Sequence, residues 1–246
     1  MARTSDITNL VKRVIIYGPS GSGKTQLAAT YPNPVFIDFD KGMLTLKDKD
    51  IEYYIIKNKP TIDPDAIKII GEKSALKDNA YLKSATLIEH FANVLREDST
   101  LVLDSLSTFS NYVLAHVLKL ARLEVPRIQD WGAAQKIIET TVELLTECEC
   151  NIVLVAHEEF LTDKKTGAIL RILPMTIGKL AAKLPLYFDE VYHTYTAKGD
   201  KKNNFTKIFG IETSGDRRTC AKSRLNLTAN IEFPTYDKLY GKGGKK

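Results

Sequence analysis

Only three cysteines occur among 246 residues, Cys148, Cys150 and Cys220. Three thiols cannot all pair, and Cys-Glu-Cys is neither the zinc-ligand nor the redox spacing. A disulfide framework and a cysteine zinc site are thereby excluded, and the thiols read as reduced structural residues of a cytoplasmic protein. Long apolar runs are missing too: nothing approaches the roughly 20 residues that span a bilayer, and Met1–Asp6 lacks a signal-peptide core. No membrane partner is expected. A large excess of one charge is also absent, since 35 Lys and Arg against 30 Asp and Glu leave only +5, which is not the charge of a histone-like binder. With 43% hydrophobic and 26% charged residues, the composition is that of an ordinary globular protein long enough for one large α/β domain. Internal repeats are absent, and His90, His116 and His193 stand without metal-like companions and read as structural.

What is present concentrates near the start. Gly18, Pro19, Ser20, Gly21, Ser22, Gly23, Lys24 and Thr25 spell G-x-x-x-x-G-K-T, directly after the apolar run Val14–Tyr17 and directly before a helix-like stretch, Gln26–Thr30. This is a P-loop in its required strand–loop–helix setting. Its glycines let successive N–H groups point at phosphates, Lys24 reaches the β- and γ-phosphates, and the Thr25 hydroxyl ligates Mg²⁺. A helix beginning at about Gly23 adds its positive end to the same spot. The chain is expected to bind a nucleoside triphosphate.

Apolar strand-like runs recur along the chain at Arg13–Tyr17, Val35–Phe39, Ile51–Ile56, Thr100–Leu103 and Asn151–Ala156. Helical patterns separate several of them, at Ser84–Arg96, Phe109–Leu123 and Trp131–Cys148, with a break at Val125-Pro126-Arg127. This alternation predicts an α/β fold, a mostly parallel sheet flanked by helices. From Phe160 the character changes. Turn chemistry at Asp163–Gly167 between Glu158–Leu161 and Ile169–Leu173 predicts a β-hairpin, and Glu190–Ala197 with Phe205–Glu212 flank the polar turn 198–204 as a second. A short helix is expected between, at Gly178–Leu184. Residues 1–235 read as one domain and 236–246 as a flexible basic tail.

Walker-type sites need an acidic group at the end of a neighbouring strand to hold the magnesium shell. Leu101-Val102-Leu103-Asp104 supplies it, with Ser105 and Ser107 following. Hydrolysis also needs a group to orient or deprotonate water. Asp38 and Asp40 share one face at the end of the second strand and would look toward the phosphates if that strand lay beside the P-loop strand; otherwise they merely cap the turn at Lys41-Gly42. His157 ends the strand Ile152–Ala156 and is either a γ-phosphate sensor or a hydrogen-bonded structural residue. Lys222 and Arg224 occupy alternate positions of an extended segment, which lets both face a neighbouring subunit's phosphates or simply solvent. Basic residues cluster at Lys164, Lys165, Arg171, Lys179 and Lys183, at Lys198 to Lys207 and at the C-terminal lysines. Such clusters neutralise phosphates or form a solvated face.

Together these pieces resemble the RecA-like ATPase core, most closely the phage-encoded P-loop proteins of the Sak type, which are implicated in single-strand annealing and recombination. The resemblance runs from the P-loop strand to Arg224 and includes Gln129-Asp130-Trp131-Gly132. It implies a RecA-like P-loop NTPase core extended by C-terminal antiparallel hairpins, with ATP and Mg²⁺ as cofactors and ATP hydrolysis, stimulated by DNA, as the activity. Asp40 then stands where RecA carries its water-activating glutamate, one methylene shorter, and Asp104 matches Walker B. His157 matches the phosphate-sensing position, and Lys222 and Arg224 the paired cations that act in trans. The implied partners are single-stranded DNA, further copies in a ring or filament, and a single-strand binding protein or another replication or recombination protein, in a bacterial or phage-infected cell. DNA-binding loops would fall at about 107–130 and 158–184, with Arg122, Arg127, Lys164, Lys165, Arg171, Lys179 and Lys183 on phosphates and Phe160 stacking on a base. The alternative is a slowly or non-hydrolysing nucleotide-gated adaptor or loader in replication or packaging. A small-molecule kinase is a third reading, against which stands the lack of a lid with clustered arginines.

Overall fold

The computed structural model describes residues 11–59, 64–71, 79–199 and 207–241. The strand that carries the P-loop, β1 (Arg13–Gly18), is buried at every position after Arg13. A strand covered on both faces belongs inside a parallel sheet, and that is where β1 sits. Around it lie β2 (Pro34–Asp38), β3 (Glu52–Ile55), β4 (Thr100–Asp104), β5 (Asn151–Thr162), β6 (Ile169–Pro174), β7 (Glu190–Lys198), β8 (Lys207–Glu212) and β9 (Asn230–Glu232). The sheet runs β3-β2-β4-β5-β1-β7-β8-β9, with β6 paired to β5 alone. Every pair from β3 to β7 is parallel, whereas β8, β9 and β6 are antiparallel to their neighbours. The α/β class, the parallel centre and the antiparallel extension are thus as the sequence predicts.

Seven helices flank the sheet among the described residues: α1 (Lys24–Ala28), α2 (Pro64–Ile70), α3 (Ala80–Val94), α4 (Leu106–Ala121), α5 (Ile128–Thr146), α6 (Leu180–Lys183) and α7 (Tyr236–Tyr240). Alternation within the strands splits the core. Ile15, Leu101, Leu103, Ile152 and Leu154 pack under Phe91 of α3, Val113 of α4 and Ile138 of α5. Val14, Ile16, Val102, Val153 and Val155 face the other way, against Leu27, Tyr31 and Leu239. No helix among the described residues is long and apolar enough to cross a membrane.

Several boundaries differ from the sequence reading. The runs 151–156 and 158–161 form one continuous strand, β5, whose first half is buried and whose last four residues are exposed. Its change of pattern marks its exit from the sheet, not its end. Helix α3 starts four residues early because Asn79 accepts a hydrogen bond from Leu82 N and caps it there. α2 falls in a stretch without a clear periodic signal. Tyr236–Tyr240, expected to open a flexible tail, is instead helical, with Leu239 buried and the Tyr240 hydroxyl within hydrogen-bond distance of Tyr31 (3.1 Å) and Tyr192 (3.0 Å). The rest of that tail, 242–246, and most of the 198–204 turn lie outside the described residues.

Candidate nucleotide site

The P-loop bends away from β1 at Gly18, whose φ of +150° already disfavours any side chain. A Cβ there would also stand 2.6 Å from the Thr194 carbonyl oxygen. Thr194 in turn donates to the Tyr17 carbonyl (3.1 Å) and lies 2.5 Å from Ser22 Oγ, which donates to Pro19 O (2.7 Å). The neighbouring strand β7 therefore fixes the loop, a support that G-x-x-x-x-G-K-T does not encode. Gly21 and Gly23 take φ of +72° and +89°, the left-handed turns that aim N–H groups inward. α1 has five residues, so this backbone nest, more than a long helix dipole, makes the loop an anion site.

Lys24 is buried and folds back to donate to the carbonyls of Gly18 (3.0 Å) and Pro19 (2.7 Å). Burial lowers its pKa, against the opposing pull of Asp104, Glu158 and Asp40. Thr25 Oγ1 donates to Asp104 Oδ2 at 2.6 Å. Asp104 is 4% exposed. Burial lifts its carboxyl to about 6; the Thr25 bond opposes the rise, and repulsion from Asp40 and Asp38 adds to it.

The condition under which Asp38 and Asp40 would face the phosphates, β2 beside β1, is not met, since β4 and β5 stand between them. β2 pairs instead with the Walker B strand, and Asp38 sits in register with Asp104. Asp38 Oδ1 caps the following turn, accepting from Asp40 N (3.0 Å) and Gly42 N (3.2 Å), while its Oδ2 is buried without a partner. Asp40 reaches across β4. Its Oδ2 lies 3.1 Å from His157 Nε2, and Oδ1 accepts from the Thr108 hydroxyl. Burial alone would raise this carboxyl, yet hydrogen bonds from His157, Thr108 and Ser105 override it and hold it at about 2. Asp40 is thus a firmly ionised carboxylate gripping His157.

Asp104, Glu158 and Asp40 act on one buried ammonium, Lys24, Asp38 adds its charge to that of Asp104, and the orphan Oδ2 of Asp38 adds an unmet demand for positive charge. A divalent cation fits that demand. No cluster of three His, Cys, Asp or Glu side chains among the described residues would hold a metal unaided, as suits Mg²⁺ sites completed by phosphate oxygens and water. Thr25 and Asp104 would hold it, and when bound it would neutralise β- and γ-phosphate oxygens.

Two features of the site lie beyond the sequence reading. His193, taken there as structural, stands between carboxylates, with Nδ1 2.9 Å from Glu212 and Nε2 3.0 Å from Glu158, and packs on Tyr17. Lys207 Nζ donates to the Gly21 carbonyl at 3.1 Å. Strand pairing of β7 with β1 and β8 creates both arrangements, and no local pattern announces either.

The remaining candidates fall elsewhere. The Lys222 backbone pairs in both directions with Val191 at the start of β7, and Arg224 forms an ion pair with Asp189 at 2.6 Å. Val191 lies beside Ile15, at mid-height of β1, and Asp189 N donates to Arg13 O (3.1 Å), so Lys222 is level with the middle of β1 while Arg224 stands at the end of the sheet away from its own P-loop. Lys164 and Lys165 occupy the exposed β5–β6 turn, Arg171 the exposed part of β6, and Lys179 and Lys183 the ends of α6. Arg122 caps α4. Arg127 is tied to Asp130 (3.1 Å) and Lys183 to Glu139 (3.8 Å). Phe160 is about half exposed.

No curated protein matches the chain. A family model described as an AAA domain matches residues 11–225. That span runs from β1 through the P-loop and Asp104 to the Lys222–Arg224 segment, and the chain belongs to this AAA-domain family of nucleotide-binding P-loop ATPases.

Proposed function

We propose that this ATPase is DNA-dependent and closest to the phage Sak-type proteins, binding single-stranded DNA for annealing or homologous recombination as a ring or filament of identical subunits. The observation that carries the reading is a hydrogen-bonded line from the nucleotide site into the β5–β6 hairpin. His157 bonds Asp40, Ser107 Oγ accepts from His157 N (3.0 Å) and donates to the Met175 carbonyl (2.9 Å), and Ser110 lies 2.9 Å from Thr176. A γ-phosphate that draws His157 off Asp40 would shift the base of a hairpin bearing Lys164, Lys165, Arg171 and Phe160. α5, about 28 Å long, outruns the roughly 17 Å of β4. Its N-terminal end, with Arg127 and the exposed Trp131, would add to the same surface. Arg224, at the far end of β1 from its own P-loop, and Lys222 would serve a neighbour's nucleotide, Arg224 exchanging Asp189 for phosphate.

ATP turnover with and without single-stranded DNA tests the reading. Stimulation that disappears in both Asp40→Ala and Arg224→Ala is expected, together with loss of ATP binding in Lys24→Ala. A low rate indifferent to DNA would overturn it. One observation favours a second reading, the nucleotide-gated adaptor or loader for a replication or packaging partner. Asp40 is held at about 2, and so weak a proton acceptor is poorly matched to activating water at neutral pH.

A further inference from the structure

Beside the P-loop a cavity of about 340 Å³ opens between α1 and the β8–β9 edge, sharing Ser22 and Gly23 with the phosphate loop. Its volume is at the small end of ligand pockets. Its walls are mostly apolar, with Phe209, Ile211, Phe233 and Pro234 among the lining residues. Phe209 lies directly against the loop, since a Cβ on Gly23 would stand 3.1 Å from its ring. Lys207 pins the same ring, with Nζ 5.0 Å from the ring centre while it donates to Gly21 O. Phe233 N donates to the Phe209 carbonyl (2.7 Å), which sets the two aromatic residues side by side. Phe233 has φ of +46°, a strained conformation for a bulky residue and of the kind that concentrates at ligand clamps.

The polar side chains in the walls are already engaged. Gln26 Nε2 donates to the Thr45 carbonyl, Thr30 Oγ1 donates to Leu27 O and accepts from Tyr236 N, and Ser22 and Thr194 contact each other. Lys49 also lines the cavity. An apolar slot with two phenyl rings, starting where a triphosphate would end, suits a flat aromatic base. It has little with which to read that base's hydrogen-bonding edge.

We propose that this cavity is the nucleoside subsite and that it holds the base by stacking and apolar contact on Phe209 and Phe233. Purine triphosphates then bind more tightly than pyrimidine ones, with little discrimination between ATP and GTP. The inference rests on Gly18–Thr25 being the triphosphate site. The test is displacement of a ribose-labelled fluorescent ATP analogue by ATP, GTP, CTP and inorganic tripolyphosphate, from wild type, Phe209→Leu and Phe233→Ala. Leucine keeps apolar packing on Gly23 and removes the ring. ATP and GTP should agree within about threefold. Each variant should weaken ATP about five- to tenfold, the low end of a lost base stack, and leave tripolyphosphate unchanged, which also certifies a folded loop. Unchanged ATP affinity in both variants would overturn the proposal, as would a hundredfold preference for ATP over GTP or an equal loss for ATP and tripolyphosphate. Failure of tripolyphosphate to compete with wild type would instead overturn the phosphate-site assignment beneath it.

Discussion

Replacing Asp104 by Asn should make the metal-free protein more stable while removing its response to nucleotide. The Asp104 carboxyl is 4% exposed and rises from 3.8 to about 6 on folding. A group whose folded value is raised stabilises the fold when protonated, so that contribution is fully present below 3.8 and is lost as pH climbs through 6. At pH 7.5 the ionised carboxylate therefore costs about 3 kcal/mol, and at pH 4.5 only about 1 kcal/mol. Asparagine carries no charge and still offers an oxygen to Thr25 Oγ1, while its amide faces Asp38 and Asp40, which repel the native carboxylate. In EDTA at pH 7.5 the variant should gain up to about 3 kcal/mol, or roughly 6–12 °C in Tm for a chain of this size. The gain should narrow to about 1 kcal/mol at pH 4.5. Urea and thermal unfolding at both pH values measure it, and repeating them with ATP and Mg²⁺ should stabilise wild type alone. A variant no more stable than wild type at pH 7.5, or a gap unchanged in acid, would refute the desolvation account.

Gly18→Ala drives a methyl into Thr194 at a φ that resists any side chain, so urea unfolding should show a loss of about 2–4 kcal/mol; wild-type stability would mean that β7 does not brace the loop. His193→Ala leaves Glu158 and Glu212 facing one another, with side chains 16% and 33% exposed. The expected cost is about 2 kcal/mol, and adding Glu158→Gln should recover part of it, which a double-mutant cycle reads directly. Ending the chain after Thr235 rather than after Gly241 removes Leu239 and the Tyr240 hydroxyl from the core and should cost about 3 kcal/mol or more. Equal Tm values for the two truncations would return 236–240 to the status of a tail.

The parts legible in the sequence are those whose chemistry is contiguous. Eight neighbouring residues hold the phosphate loop because consecutive N–H groups make the nest, and Asp104 announces itself as the polar end of an apolar strand. What was hidden depends on strand order. Asp40 meets His157 only because β4 separates β2 from β5, and neither residue carries a mark of a partner 117 positions away. The contact of His193 with Glu158 and Glu212, and that of Lys207 with Gly21, likewise require β7 and β8 to close on β1. Composition misleads at the C-terminus, where 236–246 reads as a flexible basic tail although Tyr236, Leu239 and Tyr240 fold onto the core. They succeed because Tyr31 and Tyr192 supply the other half of a hydrogen-bonded aromatic cluster.

On the proposed function, Asp40 and His157 separate two jobs that one glutamate would combine. A carboxylate held at about 2 by three hydrogen-bond partners orients water or histidine better than it removes a proton, so it favours a slow chemical step. On that proposal the same grip would make His157 a two-position element, on Asp40 without a γ-phosphate and on that phosphate with one. Ser107, holding both His157 N and the Met175 carbonyl, would carry the difference to the base of the hairpin. Slow turnover would then be compatible with a strong DNA response, because on that proposal the ATP-bound arrangement would persist long enough for many subunits to share it along one strand. Asp40→Glu separates these jobs: the added methylene must disturb the His157 contact. If turnover rises while DNA affinity with a non-hydrolysable ATP analogue falls, Asp40 is kept short for its hold on His157; if both rise together, sensing does not pass through this pair.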